Sequence, residues 1–189
     1  MVDTLYEMRS YRVADGRMTD ELARGLACIL GTGEGGSGLF DRYSIPRPVG
    51  LWRVLSGPRL PAVIFLYRWE SVAQRAHAFE TFYDDPDWNA MRARTNAGSE
   101  IVDCMDDILL RGPPPGELPM DATYELVRGA LRKGTKTAIG PLAPLCGGDP
   151  SDLAMVVHDA ASLAPEARAP GRFDGARILC RRVALSAPA

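Results

Sequence analysis

The sequence predicts an α+β fold: two ferredoxin-like β-α-β-β-α-β units packed sheet to sheet as an intrachain pseudo-dimeric α+β barrel. Three observations predict it. Residues 4–111 carry strand and helix signals in the order β-α-β-β-α-β. "RGPPPGELP" at 111–119 then sets four prolines in nine residues, a semi-rigid spacer. Beyond it, the remaining residues echo the first unit in order. The chain therefore divides into a first unit at 1–111, a linker at 112–120 and a second, reduced copy at 121–189.

The first strand is "TLYEMRSYR", residues 4–12, alternating and rich in strand formers. Met18, Leu22, Leu26, Ile29 and Leu30 then recur at helical spacing, with the cap expected at Thr19. "GTGEGGSG" at 31–38, five glycines in eight residues, reads as a flexible connection. Strands at 49–55 and 60–69 flank "SGPR", a hairpin connection. Val72, Ala76, Phe79 and Phe82 give a helix over 71–82. "DDPDW" starts another, with Asp85 as cap, Pro86 in the first turn and Trp88 as anchor. A strand at 100–111 closes the unit.

The second copy is read from echoes. "YEMR" (6–9) matches "YELV" (124–127), "LYRWESVAQRA" (66–76) matches "VHDAASLAPEA" (157–167), and "DDILL" (106–110) matches "RRVAL" (181–185). A four-stranded sheet with helices on one face leaves its other face bare, and two such sheets bury those faces against each other. "GTKTAIGPLAPLCGGDP", with three prolines and four glycines, replaces the long first helix, so the second copy reads as a shortened lid.

The 189 residues, 46% hydrophobic, suit one ordinary domain or two very small ones. A net charge of −2 supplies no drive toward nucleic acid or anionic lipid. Only Lys133 and Lys136 are lysines among 22 basic residues, and this arginine bias, with Ala, Gly and Pro richness, points to a GC-rich bacterial genome. No apolar run approaches the ~18–20 residues that span a bilayer, and no signal-peptide pattern opens the chain, so a cytoplasmic location is expected. Cys28, Cys104, Cys146 and Cys180 are widely spaced and read as buried free thiols.

"LYEMRSY", Gly50-x-Trp52 followed by Gly57-Pro58, "FLYRWESVAQR" and "DPDWNAM" together resemble the NIPSNAP family of dimeric α+β barrel proteins. The likeness covers about residues 4–111, and residues 120–189 look like a diverged second copy. Phe65 and Tyr67 stand where family members often carry His and Trp, so a polar role for that His is absent here. The resemblance implies a fold and a central pocket. It does not imply a reaction, because the barrel superfamily includes cofactor-free oxygenases, polyketide cyclases, dehydratases and haem enzymes.

Strand periodicity places the candidate site. Ile64 and Leu66 are expected under the helices; Phe65, Tyr67 and Trp69, with Trp52, then face the other sheet. Glu7, Arg9 and Tyr11 alternate with Tyr6, Met8 and Ser10, and with Met8 toward the helices they too point inward. There Glu7 fits a general base and Arg9 a holder of an anionic or enolate oxygen; the plain alternative is a structural ion pair. His158, at the place of Tyr67 in the second copy, fits a proton shuttle or a satisfied core histidine. Glu125 repeats Glu7 and Arg182 repeats Asp107, whereas His77, mid-helix among polar residues, is expected in solvent.

No G-x-G-x-x-G follows a strand, and there is no P-loop, no H-x-x-x-H and no G-x-S-x-G. A haem would rest on His158 alone. The expected function is a cofactor-free enzyme of bacterial secondary metabolism, cyclising, dehydrating or isomerising a polyketide-like or aromatic substrate. Glu7, Arg9 and His158 would be catalytic; Tyr11, Trp52, Phe65, Tyr67, Trp69 and Glu125 would bind the substrate. The alternatives are a cofactor-independent monooxygenase and a non-catalytic ligand-binding or interaction protein with a sealed barrel. The expected partner is an apolar or aromatic small molecule, with no nucleic acid and no membrane, and an exposed edge strand leaves room for a homodimer.

Overall fold

A computed structural model describes residues 4–31, 38–129, 137–146, 152–158 and 178–185. The first unit runs β1 (Thr4–Val13), α1 (Met18–Leu30), α2 (Leu39–Arg42), β2 (Gly50–Ser56), β3 (Ala62–Trp69), α3 (Val72–Tyr83), α4 (Pro86–Asn96) and β4 (Val102–Gly112). The second supplies β5 (Thr123–Arg128), β6 (Thr137–Cys146), β7 (Leu153–His158) and β8 (Ile178–Arg182). Most of "GTGEGGSG" and of the "VHDAASLAPEA" echo lies outside the described residues.

All eight strands close into one antiparallel barrel in the order β1-β3-β2-β8-β5-β7-β6-β4. The first unit contributes the ferredoxin order β4-β1-β3-β2 and the second the matching order β8-β5-β7-β6. The seams are β2 against β8 and β4 against β6. Closure leaves no long free sheet edge for the two halves to manage separately. The second half is thus no lid. Within the Gly- and Pro-rich stretch that reads as a missing helix, Thr137–Cys146 form β6, whose register shifts beside Gly140. Gly140 has φ +95°, and a Cβ there would lie 2.8 Å from the Leu153 carbonyl, so glycine is what lets the bulged strand stay against β7.

Two apolar layers result. Tyr6, Met8, Trp52, Ile64 and Leu66 point into the barrel and pack with Tyr124, Leu126, Leu142 and Met155 from the second half. Phe65, Tyr67 and Trp69 point the other way, with Leu51 and Val63, against Cys28, Ile29, Phe79 and Phe82 of α1 and α3. The faces assigned from the sequence are therefore inverted, Trp52 excepted. Both faces of β1 and β3 are buried over most of their length, so alternation separates two sets of residues without saying which set faces which partner. Inside the barrel, the space between Met8, Ile64, Leu66, Leu126, Leu142 and Met155 is only ≈10 Å³. The chamber expected between the sheets is packed at this point, but toward the β2–β3 connection Met8, Val54, Ala62, Ile64, Ile108 and Leu126 of the same barrel interior border a cavity of ≈500 Å³.

Local signals explain the motifs. Trp52 is fully buried and its ring lies across Gly50, where a Cβ would come 2.2 Å from the indole; Gly-x-Trp is the spacing that makes this fit on one strand face. Ser71 caps α3 through Gln74 N (3.0 Å), and Asp85 caps α4 through Trp88 N (2.8 Å) with Pro86 at the first position. On α1 the cap is Arg17, not Thr19, and no side chain caps it. The Arg17 guanidinium instead donates to the Thr95 carbonyl (2.6 Å) at the end of α4, tying the two helices together.

Candidate functional site

The helix-facing surface of the first sheet carries the polar stripe. Glu7 is fully buried, and four N–H groups converge on its carboxylate. Oε1 accepts from Arg9 Nε (2.6 Å) and from Arg75 Nη2 (2.6 Å) and Nε (3.1 Å); Oε2 accepts from Trp69 Nε1 (2.8 Å). Burial pushes this carboxyl up, but the bonds and charges of Arg75 and Arg9 outweigh it and hold it below the ordinary glutamate value. Arg75 also reaches Asp107 Oδ2 at 2.6 Å. A carboxylate so saturated is a structural anchor and a poor base. Neither Glu7 nor Trp69 reaches the cavity wall.

Arg9 lies above that anchor, 3.5 Å over the Phe79 ring, a contact worth about 2 kcal/mol or more when desolvated. Its Nη1 donates to Tyr83 Oη (3.0 Å) and Tyr11 Oη (3.5 Å). Because a guanidinium only donates, both phenol oxygens are acceptors here and each keeps its own proton to offer elsewhere. Burial pushes the Tyr11 hydroxyl up to about 12, against the pull of Arg9, so it stays a neutral donor.

Arg9 and Tyr11 line a cavity of ≈390 Å³ between the first sheet and α1, α3 and α4. Its apolar wall includes Phe65 and Tyr67, stacked at 6.0 Å and 6°, with Phe40, Phe82 and Trp88. Gly25 of α1 borders it, and a methyl there would sit 3.3 Å from the Phe65 ring. Exposed Tyr83, Arg92, Glu100 and Met105 ring the mouth. The aromatic residues thus line a ligand-sized space, within the ordinary range of about 300–1,000 Å³, but on the helix side of the sheet.

The other predicted site residues are elsewhere. Trp52 is in the barrel core, 5.8 Å from Tyr124. Glu125 sits on β5 between the barrel residues Tyr124 and Leu126, hence on the opposite strand face. His158 ends β7 opposite Thr123; its side chain lies outside the described residues. Arg182 donates to the Leu118 carbonyl and is not part of the cavity lining. His77 is exposed, as expected. Cys28 and Cys180 are buried, whereas Cys104 and Cys146 are exposed. Among the described residues no three His, Cys, Asp or Glu converge as a ligand set, and no described helix is long and apolar enough to cross a membrane.

The sequence reading missed Glu21 and Arg24. They lie on the buried stripe of α1 with Met18, Cys28 and Ile29, rotated from the stripe expected through Leu22 and Leu26. Glu21 Oε2 accepts from Arg24 Nη2 at 2.6 Å, and both residues line the cavity. The available signal was their (i, i+3) spacing on the same face as Met18 and Cys28.

A closed eight-stranded barrel from two β-α-β-β-α-β strand sets, with a cavity under one set of helices, defines a pseudo-dimeric α+β barrel protein. The chain belongs to the NIPSNAP family, whose family model matches residues 6–113. It is similar to a solved uncharacterized NIPSNAP domain protein from Burkholderia xenovorans: 25% identity, 61% of this chain and 98% of that one, TM-score 0.44. A NIPSNAP family protein with unknown function from Agrobacterium tumefaciens str. C58 aligns at 15% identity over 58% of this chain and 87% of that one, TM-score 0.43. The chlorite dismutase candidate TA0507 aligns at 12% identity over 97% of this chain and 96% of that one, TM-score 0.43. No curated protein matches the sequence.

Proposed function

We propose that this chain is a small-molecule enzyme that uses its own side chains for acid–base chemistry on an aromatic or polyketide-like substrate. Its reaction space is the cavity between the first sheet and its helices. The observation that carries this reading is the convergence of a buried guanidinium and two phenol hydroxyls on one edge of a ≈390 Å³ aromatic-walled space. Arg9, Tyr11 and Tyr83 are suited to hold an oxygen that gains negative charge as an enolate forms, where a low local dielectric strengthens each bond. Phe65, Tyr67 and Phe82 would hold the apolar body and fix its approach. Cyclisation, dehydration and isomerisation all pass through such an enolate. Glu7 holds Arg9 in place rather than moving protons.

The test is proton exchange at the carbon beside the carbonyl of 2-tetralone, followed by proton NMR in deuterated buffer with the full chain. Wild type is expected to exceed the buffer rate, and the Tyr11→Phe/Tyr83→Phe double variant to lose most of the excess, on the order of 10²-fold. Mass spectrometry of molecules co-purified with the native protein should recover an aromatic compound. No exchange above buffer and no co-purified compound would overturn the reading.

A second reading, a non-catalytic ligand-binding protein, is favoured by the packed centre of the barrel, where the void is ≈10 Å³. Tight retention of a co-purified compound without any exchange is its signature.

A further inference from the structure

Three carboxylates of the first unit are nearly or fully buried: Glu7, Glu21 and Asp85. Glu7 receives four N–H donors. Asp85 receives Tyr43 Oη, Arg42 Nη1 (2.9 Å) and Trp88 N (2.8 Å), so it too is saturated. Glu21 differs: 4% exposed, it receives one donor, Arg24 Nη2 at 2.6 Å on Oε2, and among the described residues Oε1 has none. It is also the one of the three that lines the cavity.

We infer that Glu21 is the proton-transfer residue of this cavity, with Oε1 as the reacting atom and Arg24 as the residue that positions it. The inference rests on the acid–base reading above and assigns the group that reading lacks. The titratable and charged groups that share the cavity wall with Glu21 are Arg9 and Tyr11 from β1, Arg24 and Cys28 from α1, Tyr67 from β3, Tyr83 from α3, Arg92 from α4, Glu100 ahead of β4 and Cys104 from β4. Arg24 is held in turn: its Nη1 donates to Asn96 Oδ1 (3.0 Å), Asn96 Nδ2 donates to Glu100 Oε2 (2.8 Å), and Arg92 Nη2 donates to Glu100 Oε1 (2.6 Å). A continuous polar chain thus runs from the buried carboxyl to the surface and fixes the Arg24 fork. Burial pushes the Glu21 carboxyl above the ordinary glutamate value, and the Arg24 charge only partly offsets it. Two acids near one site, one locked ionised and one pushed up, is the pattern that separates an anchor from a proton carrier.

The step balances within the substrate and the side chain. The Glu21 carboxylate takes a proton from the carbon beside a carbonyl, and that C–H electron pair moves to the carbonyl oxygen to give an enolate. The enolate oxygen accepts bonds from Arg9, Tyr11 or Tyr83, and protonated Glu21 returns its proton to another carbon or to a departing oxygen.

Two measurements on the full chain decide it. In the 2-tetralone exchange assay, Glu21→Gln is expected to lose on the order of 10²-fold or more of the excess rate, Glu21→Asp to keep part of it, and the wild-type pH profile to inflect above the ordinary glutamate value. Exchange in Glu21→Gln within twofold of wild type overturns the inference while leaving the acid–base reading standing. Carboxyl-carbon NMR needs no turnover. The Glu21 signal, identified by its loss in Glu21→Gln, is expected to titrate above about 4.3; titration at or below that value overturns the inference even if wild type accelerates nothing.

Discussion

The carboxylate of Glu7 on β1 and the guanidinium of Arg75 on α3 meet at 2.6 Å, and the same oxygen meets Arg9 at 2.6 Å. One buried anion therefore joins the sheet to its helix and serves two cations. Removing one member of a buried ionic cluster leaves the others uncompensated, at about 3–5 kcal/mol. Glu7→Gln is expected to lower unfolding free energy by that amount in a urea titration. A loss under about 1 kcal/mol, the surface-pair range, would contradict the anchoring role.

Acid stability follows from the same pair. Glu7 is held below its ordinary value, so its contribution is full above that value and lost as pH falls through the lower folded value. Glu21 is held above its ordinary value and has the opposite sign: its relative contribution is present below about 4.3 and lost as pH rises through the raised folded value. Urea midpoints measured against pH should therefore show a shallower acid limb for Glu7→Gln than for wild type. Glu21→Gln should remove the decline on the less acidic side.

Gly50 admits the Trp52 ring, with only 2.2 Å to a would-be Cβ. Gly50→Ala forces the indole or the strand to move, at about 1–3 kcal/mol. At about 2–4 °C per kcal/mol for a chain of this size, the thermal midpoint should fall by several degrees. An unchanged midpoint would show that the ring has another place to go.

Gly25 is a milder case, because the ring 3.3 Å from its would-be Cβ, Phe65, borders open space. Gly25→Ala is expected to gain up to about 1 kcal/mol of helix stability. The methyl narrows the cavity, so 2-tetralone exchange should slow. Destabilisation would show that Phe65 cannot yield.

Leu126 and Met155 of the second half share the barrel core with Met8, Ile64 and Leu66 of the first. Truncating either to alanine should cost about 2–5 kcal/mol. The whole chain should still unfold in one transition, read alike by tryptophan fluorescence and far-UV circular dichroism. Two separated transitions would mean that the halves do not share a core.

The strands and long helices of the first unit, unlike the single turn of α2, were legible in the sequence because each has a local cause: alternation in β1 and β3, the Asp85-Pro86 start of α4, the helical spacing of Val72, Phe79 and Phe82. So was the set of residues that share a strand face, Glu7 with Arg9 and Tyr11, and Phe65 with Tyr67 and Trp69. The β6 strand was not, because its Gly140 and prolines are breakers in isolation and only the shifted pairing with β7 accommodates them.

What the sequence by itself determined was the order of the strands and long helices of the first unit and which side chains travel together, both of which depend on neighbours in the chain. What only the tertiary structure decided was direction. The polar stripe faces α1 and α3, the barrel is packed at its centre, and the aromatic-walled cavity lies beneath the helices. The reason is physical: β1 and β3 are buried on both faces over most of their length, so each face carries the same apolar signal, and only the packed partners distinguish them. Glu21 follows the same rule, since a charge on a helix face becomes a cavity wall only when that face is turned toward the sheet.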